Sequence, residues 1–200
     1  MVQSIDLPRN ESGIATALGV LKQKFGDRFH TGYAIREQHA HSTTWIKAQI
    51  PDAVVFPRST AEVSDIVKVC STHNVPIIPF GTGTSLEGHV NAPAGGISVD
   101  LTQMDAVLAV HAEDLDCIVQ PGVTREQLNK HLKDLGLFFP IDPGANASLG
   151  GMASTRASGT NAVRYGTMKD NVIALEAVMA DGRVIRTAQR AKKTSAGYNM

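Results

Sequence analysis

The chain has 200 residues, 42% of them apolar and 19% charged, with 19 basic residues balanced by 19 acidic ones. A packed core is therefore within reach, and no net field is left for holding nucleic acid or an anionic membrane surface. Two cysteines, Cys70 and Cys117, with no CxxC between them exclude a disulfide framework, and no apolar run approaches the ~18 residues of a membrane span.

The N-terminus lacks the basic-then-apolar layout of a signal peptide, so the chain reads as soluble and intracellular. Residues 12–25 predict a helix, with Ile14, Leu18, Leu21 and Phe25 on one face and Gly26 as its stop. Residues 27–52 are polar, His-bearing and weakly periodic. Ser59 and Glu62 form a capping-box pattern. It opens a helix whose stripe is Val63, Ile66, Val67 and Cys70 and which ends near Asn74. Val75–Pro79 follows as a short strand, and residues 80–96 form a glycine-rich loop. Ile97–Leu101, Val107–Val110 and Ile118–Gln120 predict short strands. Thr124 and Gln127 repeat the capping-box pattern before Leu128, Leu132 and Leu135, and Gly136 stops that helix. Residues 140–166 have neither period. Val172–Ala180 and Arg183–Thr187 flank Asp181-Gly182, a hairpin signal. Helices interleaved with short antiparallel strands point to an α+β fold rather than a βαβ series.

Two stretches carry the candidate chemistry. In Pro79-Phe80-Gly81-Thr82-Gly83-Thr84-Ser85-Leu86-Glu87-Gly88, glycines permit close backbone approach, and hydroxyls with successive N–H groups suit an anion such as a diphosphate. The GxGxxG fingerprint is not met. A Walker A loop is not met either, because His89-Val90 stands where Lys-Ser/Thr is required. The competing reading is an ordinary glycine-rich turn. In 140–163, small neutral residues and hydroxyls fill two dozen positions in which only Asp142 and Arg156 are charged. They suit a wall against a flat ligand, and the competing reading is a long surface loop. The seven histidines match no zinc spacing. His89 is the one placed to face a ligand. GxSxG is absent, and no close carboxylate pair stands out.

Taken together, VVFP (54–57), PIIPFGTGTSLEGHV, VQPGVTREQL, FPIDPGANASLGGMASTRASGTNAVRYGTMKDNV, ADGRVI and KTSAGYNM resemble the FAD-linked D-2-hydroxy-acid dehydrogenases. These belong to the p-cresol methylhydroxylase / vanillyl-alcohol oxidase superfamily. The likeness runs over residues 36–200 and lies nearest the cytochrome-linked D-lactate dehydrogenase branch, with the glycolate oxidase flavin subunit close behind. It implies a PCMH-type FAD-binding fold of two α+β subdomains, truncated at the C-terminus. Residues 1–50 would be an N-terminal helical segment, and residues 51–200 an incomplete FAD-binding domain without its substrate cap.

The same resemblance assigns the cofactor contacts. Pro79, Gly81, Thr82, Gly83, Thr84, Ser85 and Gly88 would hold the diphosphate. Pro143, Gly144, Ser148, Gly151, Ser158, Gly159, Tyr165, Gly166 and Val172 would line the ribityl chain and the isoalloxazine. Some superfamily members tether FAD through a histidine in the diphosphate loop. Phe80–Ser85 contains neither His nor Cys, so FAD is expected to be noncovalent. The implied reaction oxidises a D-2-hydroxy acid, D-lactate, to the 2-oxo acid by hydride transfer to flavin N5. Electrons then pass to cytochrome c or a quinone. No catalytic residue is assigned within 1–200; the base, and a divalent metal, would belong to the full-length enzyme only. Alternatives are an FAD-binding module or inactive fragment without turnover, or glycolate or 2-hydroxyglutarate as the substrate. A cytoplasmic location, or a peripheral one at the inner membrane, is expected. One departure is plain: relatives carry a HGxDxS-like segment where this chain reads His39-Ala40-His41-Ser42-Thr43-Thr44, without the aspartate.

Overall fold

The computed structural model describes residues 7–190. The chain divides into two units, Met1–Gln103 with Val178–Arg183, and Met104–Ala177 with Val184–Met200. The KTSAGYNM motif lies outside the described residues.

In the first unit, helix α1 (Glu11–Phe25) starts where the Asn10 side chain accepts from the Gly13 N–H, and ends at Gly26 with φ +52°. Ile14, Ala17, Leu21 and Phe25 face inward at helical spacing. A two-residue strand β1 (Phe29–His30) and a short helix α2 (Tyr33–Gln38) occupy the weakly periodic region. Helix α3 (Thr60–Thr72) is capped by Ser59, which accepts from the Glu62 N–H. Only that half of the expected capping box forms. The Glu62 carboxylate instead accepts from the Arg28 guanidinium at 2.6 and 2.7 Å and from the Arg58 amide at 2.7 Å. A bidentate guanidinium outcompetes a single cap amide.

Strands β2 (Ala53–Val55), β3 (Ile77–Phe80) and β4 (Ile97–Asp100) join β1 in one sheet of order β1-β2-β4-β3. Strand β4 runs parallel to both neighbours, with Ala53 and Ile77 each opposite Ile97, while β1 is antiparallel to β2. The expectation of short antiparallel strands is thus corrected here: β2-α3-β3 is a βαβ crossover with β4 inserted between its strands. Helix α3 buries Ser64, Ile66, Val67 and Cys70, and a helix that covers the sheet returns the chain in the parallel sense. Residues of β2 and β4 are buried throughout, as parallel strands covered on both faces require. Helices α1 and α3 and this sheet share one core, which includes Ile14, Leu21, Phe25, Val55, Ile66, Ile97 and Val99.

In the second unit, β5 (Val107–His111) and β6 (Asp116–Val119) form an antiparallel hairpin. Helix α4 (Arg125–Leu132) carries the complete Thr124–Gln127 capping box. It gives way to a 3₁₀ turn, Lys133–Leu135, before left-handed Gly136. The aperiodic stretch holds three short helices: α5 (Leu149–Ser154), α6 (Ala162–Tyr165) and α7 (Met168–Asn171). Their sequences are too short to show a period. Leu149, Met152 and Met168 nonetheless join Val123, Leu128, Leu132 and Ile141 in the core, and that packing overrides propensity. Strands β7 (Glu176–Val178) and β8 (Val184–Arg186) form the expected hairpin, shorter than the sequence suggests, with the end of β7 and the Asp181-Gly182 turn belonging to the first unit.

Both cysteines are free thiols. Burial pushes Cys70 up to about 12 and raises Cys117, so neither is a thiolate at neutral pH.

The Arg28–Glu62 pair makes a testable contribution to stability. The Arg28 guanidinium holds the Glu62 carboxyl down to about 2, against an ordinary value of 4.5. A depressed carboxyl stabilises above its unfolded value and loses that contribution as pH falls from there through about 2. Glu62→Gln is expected to cost about 1 kcal/mol at neutral pH, given a partly exposed pair. Urea unfolding along a pH series checks it: the gap between wild type and variant should shrink in acid, and a constant gap would contradict this role.

Candidate cofactor site

The glycine-rich loop leaves the C-terminal end of β3, which lies parallel to β4, so it starts where ligands meet parallel sheets. Pro79 and Phe80 are the last residues of β3; Pro79 is exposed. Gly83 has φ +65°, a left-handed conformation natural to glycine. A Cβ there would come within 2.9 Å of Phe80 Cζ, so the loop folds back over the ring of its own first residue. Among the described residues, no carbonyl or side chain takes the backbone N–H groups of Gly81 to Ser85. The Thr82 and Thr84 hydroxyls lie 3.3 Å apart. Ser85 shares a hydrogen bond with His89 across the loop, so His89 is tied to the loop itself. Gly88, at φ +73°, closes a turn in which the Asn91 N–H donates to its carbonyl.

Uncommitted successive amides with flanking hydroxyls make an anion concavity. The donor set of residues 81–85 has the chemistry that a diphosphate needs, and the missing Cβ at Gly83 is what lets the loop pack against the Phe80 ring.

Beneath the loop lies a feature that sequence reasoning missed. His39 and Asp100 are 3% and 4% exposed, and His39 Nε2 lies 2.8 Å from Asp100 Oδ2. His39 Nδ1 donates to the Ile35 carbonyl at 2.7 Å. The imidazole packs on Phe80 with ring centroids 4.3 Å apart, and edge-on to Phe56 at 5.9 Å. His39 belongs to the departed HGxDxS-like segment. The available signal was an acid, Asp100, closing the buried strand Ile97-Ser98-Val99.

The remaining candidate residues belong to the second unit. Pro143 is half-buried, and Gly144 is exposed with open space where a Cβ would stand. Ser148 is buried at the N-cap of α5, and a Cβ on exposed Gly151 would meet its hydroxyl at 3.1 Å. Ser158 is exposed. Gly159 is pressed against Asp142, whose carboxylate and carbonyl would lie within 2.5 Å of any Cβ. Asp142 accepts from the Thr160 hydroxyl at 2.6 Å and the Asn161 amide at 2.9 Å. The Thr160 bond first, then the Asn161 amide, hold its carboxyl below the usual range. This acid pins the 158–161 loop, a role that spacing alone does not reveal.

Tyr165 stands edge-on to Phe138 at 5.5 Å, with the Arg164 guanidinium over its ring. Gly166, at φ +78°, ends α6, and Asn171 bonds back to the Tyr165 and Thr167 carbonyls. Val172 is half-buried against the unit's core. Among the described residues, no three His, Cys, Asp or Glu side chains gather as a metal site, and no helix is long and apolar enough to cross a membrane.

Comparison with known proteins bears on this site. Residues 51–188 match the family model described as an FAD binding domain. The chain is 56% identical over 172 residues to a probable mitochondrial D-lactate dehydrogenase of Danio rerio, covering 84% of this chain and 35% of that protein. It is 51% identical over 182 residues to the mitochondrial D-lactate dehydrogenase [cytochrome] of Arabidopsis thaliana, covering 90% and 32%. The glycolate oxidase subunit GlcD of Bacillus subtilis is 36% identical, covering 87% and 37%. The chain thus spans about a third of the length of the curated relatives it matches.

Among solved structures, alkyldihydroxyacetonephosphate synthase matches with TM-score 0.81 and 25% identity, over 96% of this chain and 40% of that one. p-Cresol methylhydroxylase matches with TM-score 0.74 and 22% identity, over 90% and 37%. By the family model the chain belongs to the FAD binding domain family, and it shares the fold of alkyldihydroxyacetonephosphate synthase and p-cresol methylhydroxylase.

Proposed function

We propose that this chain supplies the cofactor-binding part of an enzyme that oxidises a D-2-hydroxy acid, D-lactate, to its 2-oxo acid. The observation that carries the reading is the run of uncommitted amides at Gly81–Ser85, on a loop ending a parallel strand, inside a matched FAD-binding domain. In this reading Gly81, Thr82, Gly83, Thr84 and Ser85 donate to the diphosphate, with Pro79 and Gly88 bounding the loop. Pro143, Gly144, Ser148, Gly151, Ser158, Gly159, Tyr165, Gly166 and Val172 supply the small-residue wall for the ribityl chain and ring. Asp142 keeps the 158–161 part of that wall in place. When bound, FAD supplies the redox chemistry, acceptance of the substrate C2 hydride at N5. The residues of this chain bind and orient; no proton transfer is assigned to them. Residues 51–200 are assigned to the cofactor domain and residues 1–50 to an N-terminal helical segment.

The substrate assignment rests on the likeness to D-lactate dehydrogenases, and glycolate is the alternative that the glycolate oxidase subunit favours. Cytochrome c or a quinone is the proposed acceptor, and the cytoplasm or the inner-membrane periphery the proposed location. The test is anaerobic mixing of D-lactate with the FAD-loaded protein that carries this segment at its relatives' full length. Bleaching of the flavin by D-lactate and not by glycolate is expected. Bleaching by glycolate alone would move the assignment to the alternative, and no bleaching would leave a binding module. Because Phe80–Ser85 contains neither His nor Cys for a tether, acid precipitation is expected to release all the yellow colour. A coloured pellet would contradict noncovalent binding.

A further inference from the structure

We propose that His39 is a positioning residue for cofactor binding. Its buried pair with Asp100 fixes the Phe80 ring as the platform on which the 81–85 loop is shaped. The inference rests on the reading of that loop as the diphosphate site.

Burying a histidine and a carboxylate is costly unless every polar atom finds a partner, and here each does. The Ile35 carbonyl and Asp100 hold the two ring nitrogens, at 2.7 and 2.8 Å. Asp100 Oδ1 accepts from the Thr102 amide at 2.8 Å and from the Thr102 hydroxyl. With one anchor on each nitrogen, the imidazole cannot rotate. An apolar side chain of similar size would fill the space but would not fix a ring plane. That plane is what Phe80 packs on, at 4.3 Å and a 44° tilt.

Asp100 acts twice, because its backbone is also the register partner of Phe80 at the end of the β3–β4 ladder. Phe80 in turn supplies the nearest atoms to the Gly83 Cβ position, at 2.9 and 3.1 Å. A continuous line of contacts therefore runs from Ile35 through His39, Asp100 and Phe80 to Gly83. Loop amides that have no internal partner need such an outside support to converge on an anion.

The test compares Asp100→Asn, Asp100→Leu and Phe80→Ala in the 200-residue chain, by FAD titration and by the amide resonances of Gly83 and Gly159. In Asp100→Asn the new amide donates to His39 Nε2 and the Thr102 bonds remain. FAD affinity should stay close to wild type. Asp100→Leu releases the imidazole and Phe80→Ala removes the platform. Each should weaken FAD about tenfold or more, and each should move the Gly83 resonance while leaving Gly159 in place. Loss of stability alone would not produce that split. Where Asp100→Leu does not fold, Phe80→Ala with the Asp100→Asn rescue carries the test. Folded Leu and Ala variants that bind FAD like wild type, or that leave the Gly83 resonance unmoved, would overturn the proposal. A wild-type chain that binds no FAD would instead overturn the reading of the loop, and the Gly83 resonance would still report on the platform.

Discussion

Gly83→Val is expected to abolish flavin retention while the chain stays folded. Two effects add at this position. A β-branched residue at φ +65° is strained by about 1–3 kcal/mol, and its Cβ would press on Phe80 Cζ at 2.9 Å. The loop escapes by moving, since it lies outside the buried core and its amides are tied to nothing among the described residues. What moves is therefore the donor set. Affinity for FAD should fall about a hundredfold or more, two tenfold steps of about 1.4 kcal/mol each. Flavin fluorescence titration measures it, with far-UV circular dichroism to establish folding. A folded variant with unchanged FAD content would sink the assignment of residues 81–85.

The second large effect falls on stability. Gly96 opens β4 with φ +114°, and a Cβ there would stand 2.3 Å from the Pro76 carbonyl oxygen. That obstacle is backbone, fixed by the Ile97 N–H donating to the same carbonyl at 2.9 Å. On the other side the Gly96 N–H donates to Asp52 at 2.7 Å and its carbonyl accepts from the Asp52 amide. The residue is thus held between β2 and β3 with no direction in which to relax. Gly96→Ala should cost about 3 kcal/mol or more, combining left-handed strain with overpacking. Urea denaturation should show a clear drop in midpoint, and a midpoint within error of wild type would mean that β4 does not sit between these strands as described.

Much of the local structure was legible because its causes are local. Ser59 and Thr124 mark helix starts, Gly26 and Gly136 mark stops, and Asp181-Gly182 marks a hairpin. The glycine-rich loop was legible for the same reason. The failures have long-range causes. Glu62 left its capping box for Arg28, 34 residues away. Strands of three or four buried residues carry no period that separates parallel from antiparallel pairing, so the inserted position of β4 was invisible. Residues 149–171 form helices only because Leu149, Met152 and Met168 reach a core built elsewhere in the sequence. His39 and Asp100 meet across 61 residues, and Asp142 holds Thr160 across 18. Both supports are of this kind: the candidate residues are readable in sequence, and the residues that hold them are not.

The most direct test of the central claim is an absorption spectrum of the 200-residue chain after incubation with excess FAD and desalting. Stoichiometric flavin absorbance eluting with folded protein is the predicted result. A folded chain that elutes colourless would contradict the claim that this chain supplies the cofactor-binding part.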